Sequence, residues 1–144
     1  MADQYTRRAL QVLLGLNRPV YTMWPNLTGV PAPGIQMTPA AAAWGALIDI
    51  IGAAAIITEF WVISAHFSLG VGAFADHEVE IYDLTSTTIL YECRVDVTAA
   101  NVNLAPYPLP IPAWCDPNDQ IQGRTGATNA ADKLSVSLLV ATGM

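Results

Sequence analysis

The sequence predicts an all-β protein: an antiparallel β-sandwich or jelly roll, preceded by a short N-terminal helix and a proline-rich extended arm. Apolar and polar residues alternate with period two in "DHEVEIYDL", "TTILYECRVDV" and "DKLSVSLLVATG", as they do in half-buried strands. The polar turn "TSTT" separates the first two runs, which is a hairpin signal. At 144 residues the chain is long enough to bury a core of its own.

The first 35 residues differ in kind, and we predict a division into an N-terminal helix and arm (residues 1–35) and a β-sandwich domain (residues 36–144). The run "DQYTRRALQVLLGL" has apolar residues near helical spacing. The following "PVYTMWPNLTGVPAPGIQM" is too apolar for a disordered linker and too rich in proline for a sheet. We expect an arm that docks on its own domain or on a neighbouring copy. The predicted interface residues are Tyr21, Trp24, Arg7 and Arg8.

Residues 40–67 are the most apolar part of the chain and are long enough to cross a bilayer. Asp49 and Glu59 interrupt the segment, and there is no Lys or Arg between Arg18 and Arg94 to set a topology, so no membrane span is predicted. Its β-branched and aromatic residues indicate strands instead.

Two strands are predicted within this apolar segment. The first, "AWGALIDII", would place Trp44 and Ile48 on one side, although the alanines before it could begin a short helix. The second, "IITEFWVISAHFSL", is apolar on both sides, as a central strand is. Its predicted faces are Thr58, Phe60, Val62, Ser64 and His66 on one side, and Glu59, Trp61, Ile63, Ala65 and Phe67 on the other.

The later strands alternate more regularly, which allows their inward faces to be predicted. We expect Arg94 to pair with Glu78 or Glu80 across the hairpin. The proline-rich "NLAPYPLPIPAWCDPND" lacks the N–H donors of an interior strand and is predicted to be an extended loop or a sheet edge. The predicted shared faces are His77, Val79, Ile81 and Asp83; Ile89, Tyr91, Cys93, Val95 and Val97; and Leu134, Val136, Leu138 and Val140.

Composition restricts the classes of partner. Hydrophobic residues make up 53% of the chain and charged residues only 12%, about half the usual share, so other chains are expected to cover part of the surface. A net charge of −6 with no basic tract argues against nucleic-acid binding. Residues 76–96 contain six acidic residues and one basic residue, Arg94. This stretch and the basic N-terminal segment could attract each other between subunits. The same charges are equally consistent with two ordinary solvated faces.

Neither a cofactor site nor a metal site is predicted. Cys93 and Cys115 form no CxxC pair, and we expect two free thiols. Asp76, Glu78 and Glu80 resemble a calcium-ligand cluster, but they lack the glycine and the ligand spacing of an EF-hand.

No catalytic residue is predicted either. Ser64, His66 and Asp49 are a conceivable triad, but Ser64 and His66 stand only two apart on one strand and no GxSxG motif occurs. We therefore expect His66 to be a buried or interface histidine, and an enzyme remains only the competing class of function.

The succession "AWGALIDII", "ITEFWVISAHFSLG", "HEVEIYD", "YECRVDV", "LPIPAW" and "IQGRTGATNAADKLSVSLLV" resembles a class of small β-sandwich virion structural proteins of tailed bacteriophages. In that class an "AWG"-type strand precedes a "FWV"-type strand, and a "PLPIP" loop leads to an "I-x-x-R" strand and a final strand. The likeness covers roughly residues 35–140. Arg124 matches the arginine of that motif, for which the resemblance implies no role.

The resemblance implies a virion structural protein, most directly a capsid decoration (cement) protein that oligomerises on the viral head shell and stabilises it. Its partners would be the major capsid protein and copies of itself, with a trimer as one symmetry. Its location would be the outer surface of the capsid, after assembly in the host cytoplasm. The alternative is a tail, head-fibre or receptor- and glycan-binding β-sandwich module of a phage particle.

Overall fold

The strands form two five-stranded sheets. The computed structural model describes residues 4, 6, 7, 9, 19–25, 34–69, 72, 75–97 and 107–143, and only the backbone of residues 69 and 107–111. These residues form ten strands: β1 (Val20–Trp24), β2 (Ile35–Met37), β3 (Ala43–Trp44), β4 (Ile48–Ile51), β5 (Phe60–Leu69), β6 (Asp76–Asp83), β7 (Thr88–Asp96), β8 (Tyr107–Cys115), β9 (Ile121–Ala127) and β10 (Leu134–Thr142).

All pairing between named strands is antiparallel, and the sheets have the strand order of a jelly roll. Sheet A has the order β1-β10-β5-β8, and β2 also pairs with β10. Sheet B has the order β3-β9-β6-β7, and β4 also pairs with β9. If β1 with β2 and β3 with β4 are each counted as one strand, the eight strands lie in the orders 1-8-3-6 and 2-7-4-5. The predicted β-sandwich is confirmed.

Two of the edge strands are interrupted. Trp24 lies opposite Leu138 and Ile35 lies opposite Val136, so β2 continues the line of β1 along the same edge of β10. In sheet B, β3 and β4 follow each other in the same way along β9. The single strand predicted for "AWGALIDII" is therefore wrong.

The core lies between the sheets, and most inward faces agree with the alternation. The predicted inward residues of β6 and β10 are all buried, because these strands run regularly at that face. The largest buried side chains with almost no exposed surface are Phe60, Met37, Ile51, Ile81, Ile121, Leu134 and Leu138.

Two β-bulges break the predicted alternation. In β5, Val62 lies opposite Val140 but Ser64 lies opposite Leu139, so Ile63 is an extra residue and the buried face changes from Phe60 and Val62 to Ala65 and Phe67. The predicted grouping of His66 with Phe60 is therefore wrong.

The second bulge lies in the hairpin of β6 and β7. Ile81 lies opposite Tyr91 and Tyr82 lies opposite Ile89, which makes Leu90 the extra residue. Ile89 is consequently 51% exposed, and its predicted inward position is wrong.

The proline-rich arm is wrong for Val20–Trp24, which form an edge strand of sheet A. Pro19 and Pro25 flank this strand and do not interrupt it, so every N–H of the ladder is kept. The predicted N-terminal helix is not supported as an element: four separate residues have helical backbone, and no helix can be delimited within the described ranges. Those ranges hold no helix long and apolar enough to cross a membrane.

Strand β8 confirms the expectation of a sheet edge for the proline-rich segment. Among the described strands it pairs only with β5, so its other side needs no N–H donors and accommodates proline. The predicted boundary between residues 35 and 36 falls inside β2, and the division of the chain at that point stays a prediction.

Candidate functional site

The fold separates charge from apolar surface. The five strands of sheet A contain no Asp, Glu, Lys or Arg, whereas those of sheet B contain every charged strand residue. Because inward positions are mostly apolar, the charges of sheet B lie mainly on its outer face. The molecule thus presents two unlike surfaces, which we call the uncharged face and the charged face.

The uncharged face is the outer side of sheet A and is rich in aromatic and hydroxyl groups. Trp61 and Trp114 pack edge to face with ring centroids 5.1 Å apart. Ser64 Oγ lies 3.2 Å from His66 Nε2, and burial lowers the pKa of His66, so this histidine adds no charge at neutral pH. The strand registers place these residues on this face: Tyr21, Met23, Gln36, Trp61, Ser64, His66, Ser68, Trp114, Ser135, Ser137, Leu139 and Ala141. Tyr21 is exposed, Ser64, Ser135 and Ala141 are buried, and the others are half-buried.

The charged face is the outer side of sheet B. Six carboxylates stand on it against two guanidiniums, so it is strongly negative. The registers place these charged residues there: Asp49, Asp76, Glu78, Glu80, Glu92, Asp96, Arg94 and Arg124.

Arg124 organises one half of the charged face. Its Nη2 donates to Glu80 Oε2 at 2.9 Å, and its guanidinium lies 4.9 Å from the ring centroid of Trp44. The Glu80 side chain is 6% exposed, so this ion pair is largely removed from water. The register puts Arg124 directly opposite Glu80 on the neighbouring strand, which is why a buried carboxylate is tolerated here.

A groove runs beside this pair, across all four strand positions of sheet B. Trp44, Gly126, Glu78 and Arg94 lie in one row, each opposite the next. Because Gly126 has no side chain, the row is open in its middle, and the depression measures about 380 Å³. Its walls therefore combine an aromatic ring, a carboxylate and a guanidinium.

Arg94 forms its ion pair with Asp76 at the end of the groove. Of the two predicted partners, Glu78 lies directly opposite Arg94 and attracts it electrostatically, whereas Glu80 pairs with Arg124 instead. The hydrogen bond from Arg94 lowers the pKa of Asp76 and raises that of Arg94. Both side chains are largely exposed, so the pair orders the groove more than it stabilises the fold.

A buried histidine supports the groove from beneath. Thr125 Oγ1 donates to the Glu78 carbonyl at 2.9 Å, so it accepts from His77 Nδ1 at 3.1 Å. This fixes the neutral Nδ1–H tautomer, and Nε2 is a buried acceptor with no hydrogen-bond partner among the described residues. Burial lowers the pKa of His77, while Asp132 and Asp76 oppose that shift.

The carboxylates of Asp83 and Asp119 lie near each other at the end of the sandwich opposite the groove. Asp83 accepts from the backbone N–H groups of Thr85 and Ser86, at 2.9 and 3.2 Å, and so orders the turn of the hairpin. Burial, first of all, raises the pKa of Asp119, and the nearby carboxylates of Asp83 and Asp116 add to the shift. We therefore assign these two carboxylates a structural role at this end of the sandwich.

Cys93 and Cys115 are free thiols, as predicted. Burial raises the pKa of Cys93 to about 11 and also raises that of Cys115. Neither thiolate is populated at neutral pH, which makes both residues poor nucleophiles.

The predicted interface residues do not lie together. Tyr21 is 60% exposed on the uncharged face, whereas Trp24 points inward and packs against the core. Arg7 is exposed, and Arg8 lies outside the described residues. Their part in an interface stays a prediction.

The conceivable catalytic triad is not assembled. Asp49 lies in the other sheet from Ser64 and His66, and it accepts hydrogen bonds from Gln120 and Gln122, each at 2.7 Å. No group of three or more His, Cys, Asp or Glu side chains in the described ranges could hold a metal ion.

Sequence reasoning missed the groove. Trp44, Gly126 and Arg124 lie on strands that alternation alone does not place side by side. The one signal available in the sequence was Arg124, which matches the arginine in the motif of the virion proteins that the chain resembles. The pairing of β9 with β6 and β3 brings these residues to one site.

No protein-family model and no curated protein matches this chain. Among solved structures, the chain is similar to VP2 in the crystal structure of the infectious bursal disease virus VP2 subviral particle, with 20% identity and a TM-score of 0.46, over 88% of this chain and 33% of that one. It is also similar to the structure of T=1 particles derived from infectious bursal virus, with 14% identity and a TM-score of 0.40, over 88% and 32%. The chain therefore spans about one third of their length, and the likeness is loose. Neither concerns a tailed bacteriophage.

Proposed function

We propose that this chain is a structural protein of a virus particle, specifically a capsid decoration protein that binds the major capsid protein and copies of itself on the outer surface of the head shell. The observation that carries the proposal is the uncharged face: five strands without one charged residue, with Trp61, Trp114 and Tyr21 on their outer side.

A face of this size suits an interface. Sheet A is four strand positions wide and its longest strand has ten residues. At about 4.8 Å between strands and about 3.3 Å per residue, it covers roughly 600 Å² in projection. Each partner in a standard protein interface contributes roughly 800 Å², and Ser64, Ser135 and Ala141 on this face are already buried within the chain, so the face would supply part of an interface. Aromatic side chains with few charges are also the composition of interface centres.

The difference between the two faces suggests how the subunit is oriented on the shell. Half of the 18 charged residues lie in the strands of sheet B and none in those of sheet A, so sheet B suits a surface turned to solvent. The uncharged face is then turned to the shell or to a neighbouring copy. The jelly-roll strand order, which recurs in viral capsid domains, and the resemblance to virion structural proteins support the same role by analogy. The role is one of binding, and we propose no reaction for the chain.

Quantitative mass spectrometry of density-gradient-purified particles tests the proposal. We expect a copy number near that of the main shell protein, or a simple fraction of it. A handful of copies per particle would place the chain at the tail or a vertex and contradict the decoration role. Absence from particles would contradict a virion role altogether.

A matched pair of variants tests which face binds. Tyr21→Arg puts a charge on the uncharged face, and Ile89→Arg puts one on the outer edge of sheet B; the two parent side chains are similarly exposed, at 60% and 51%. We expect Tyr21→Arg to release the chain from purified particles and Ile89→Arg to leave it bound. The reverse result would assign the interface to sheet B.

A further inference from the structure

We propose that the groove on the charged face binds an arginine side chain, and that the Arg7–Arg8 segment of a second copy of this chain supplies it. The inference rests on the proposed function only in requiring that copies of the chain meet. It concerns a second surface of the molecule, the groove on sheet B, and it names the arginine side chain that would bind there.

The groove offers the two kinds of group that bind a guanidinium. Glu78 supplies an exposed carboxylate in the middle of the row, and Trp44 supplies an aromatic ring at its end. The guanidinium of Arg124 already lies 4.9 Å from the centroid of the Trp44 ring, so an incoming side chain would contact the part of the ring that lines the groove. The groove is lined by the carboxylates of Asp76 and Glu78 against the single guanidinium of Arg94, and that guanidinium is paired with Asp76. A further cation is therefore favoured.

The shape of the groove is suited to a single side chain. Gly126 forms its floor, and a Cβ added there would lie 3.6 Å from both the Ala43 carbonyl oxygen and Trp44 Cε3. These are ordinary contact distances for a Cβ, so an alanine at this position is accommodated without displacing the backbone. This provides a variant that narrows the site and keeps the fold.

The N-terminal segment is the natural source of the arginine. The chain has six basic residues, of which Arg94 and Arg124 are already paired and three lie within the first 18 residues. Gln4 Nε2 donates to Glu59 Oε1 at 3.1 Å, next to the start of β5 and the turn that leads to Ile121. Gly126 lies five residues further along β9, towards the opposite end of the sandwich.

This placement separates Arg7 from the groove of its own chain, because Arg7 follows Gln4 by only three residues and Gln4 is held at the Glu59 end. In this proposal the arginine that fills the groove therefore comes from a second copy.

Binding of a labelled peptide tests the proposal directly. The receptor is the full chain carrying Arg7→Gln and Arg8→Gln, whose groove no neighbouring copy can fill. The probe is a fluorescein-labelled peptide of residues 1–12, "MADQYTRRALQV", measured by fluorescence anisotropy. We expect saturable binding that weakens as ionic strength rises. The same peptide with both arginines replaced by glutamine should not bind.

Variants of the receptor locate the site. Glu78→Arg should weaken binding roughly tenfold, since it replaces an attraction by a repulsion. Asp49→Arg makes the same charge change on the same face, outside the groove, and should change affinity less than about twofold. Gly126→Ala should weaken binding while circular dichroism shows an unchanged fold. A peptide carrying Arg7→Glu and Arg8→Glu should regain affinity for the Glu78→Arg receptor.

Equal binding to the parent and Glu78→Arg receptors, or no binding of the arginine peptide, would overturn the proposal. So would binding that Tyr21→Arg abolishes, because the segment would then lie on the uncharged face. The particle measurement decides the proposed function separately. If the chain is found on particles but does not bind the arginine peptide, only this inference is refuted. If the chain binds the peptide but is absent from particles, only the virion role is refuted.

Discussion

The ion pair of Glu80 and Arg124 gives the sharpest test of how sheet B is held together. Charges about 4 Å apart attract by about 4 kcal/mol at an effective dielectric constant of about 20. Removing one partner of a buried pair costs about 3–5 kcal/mol, because the other charge stays buried without compensation. Glu80 is almost fully buried, but Arg124 is 31% exposed, so we expect Arg124→Ala to cost about 3 kcal/mol, the lower end of that range.

Urea unfolding and thermal unfolding measure this cost. For a chain of this length, 3 kcal/mol corresponds to a fall in Tm of about 10 °C. The matched control is Arg94→Ala, which removes the other guanidinium of the charged face, from an exposed pair with Asp76. We expect this control to leave Tm unchanged within error.

A second substitution distinguishes the stranded charge from lost packing. Adding Glu80→Leu to Arg124→Ala should recover most of the lost stability, since a buried carboxylate no longer lacks a partner. If the two alanine variants lower Tm equally, or if Glu80→Leu makes the loss worse, the burial of Glu80 is not what makes Arg124 necessary.

Three further results are expected. Gly45→Ala should cost about 3 kcal/mol in urea unfolding, because its Cβ would clash with the backbone oxygen of Thr38, whereas Gly126→Ala, whose Cβ would lie 3.6 Å from its nearest neighbour, should be tolerated. Burial lowers the pKa of both His77 and His66, so between their folded pKa values and about 6.5 the unfolded chain binds more protons, and stability should rise with pH up to about 6.5. His77→Asn should remove part of that rise, and an unchanged pH dependence would contradict this role of His77. At pH 8 the thiols of Cys93 and Cys115 should react with Ellman's reagent slowly in the folded chain and rapidly in urea; rapid reaction of the folded chain would contradict their raised pKa values.

Local alternation predicted the strands whose neighbours are regular. The inward faces of β6 and β10 follow directly from their sequence, since successive side chains of a strand point to opposite sides. The prolines of β8 predicted a sheet edge for the same kind of reason: each removes one backbone donor, which only an edge tolerates. In all these cases one strand's own residues carry the information.

The bulges could not be predicted in this way. Ile63 and Leu90 have the β-branched or aliphatic side chains of any strand residue, and each becomes an extra residue only because the neighbouring strands pair around it. The strand formed by Val20–Trp24 could not be predicted either, because the prolines on either side of it favour an extended arm. The edge of β10 with which it pairs lies more than 110 residues away in the sequence.

The sequence by itself determined the all-β class, the low charge and most buried positions, because these depend on residue type and on spacing along one strand. The separation of an uncharged face from a charged one, and the groove of Trp44, Gly126 and Glu78, depend on which strands lie side by side. Sheet pairing joins residues as distant in sequence as Trp44 and Gly126. Only the tertiary structure decides those neighbours, since backbone hydrogen bonds between strands carry no record of side-chain type.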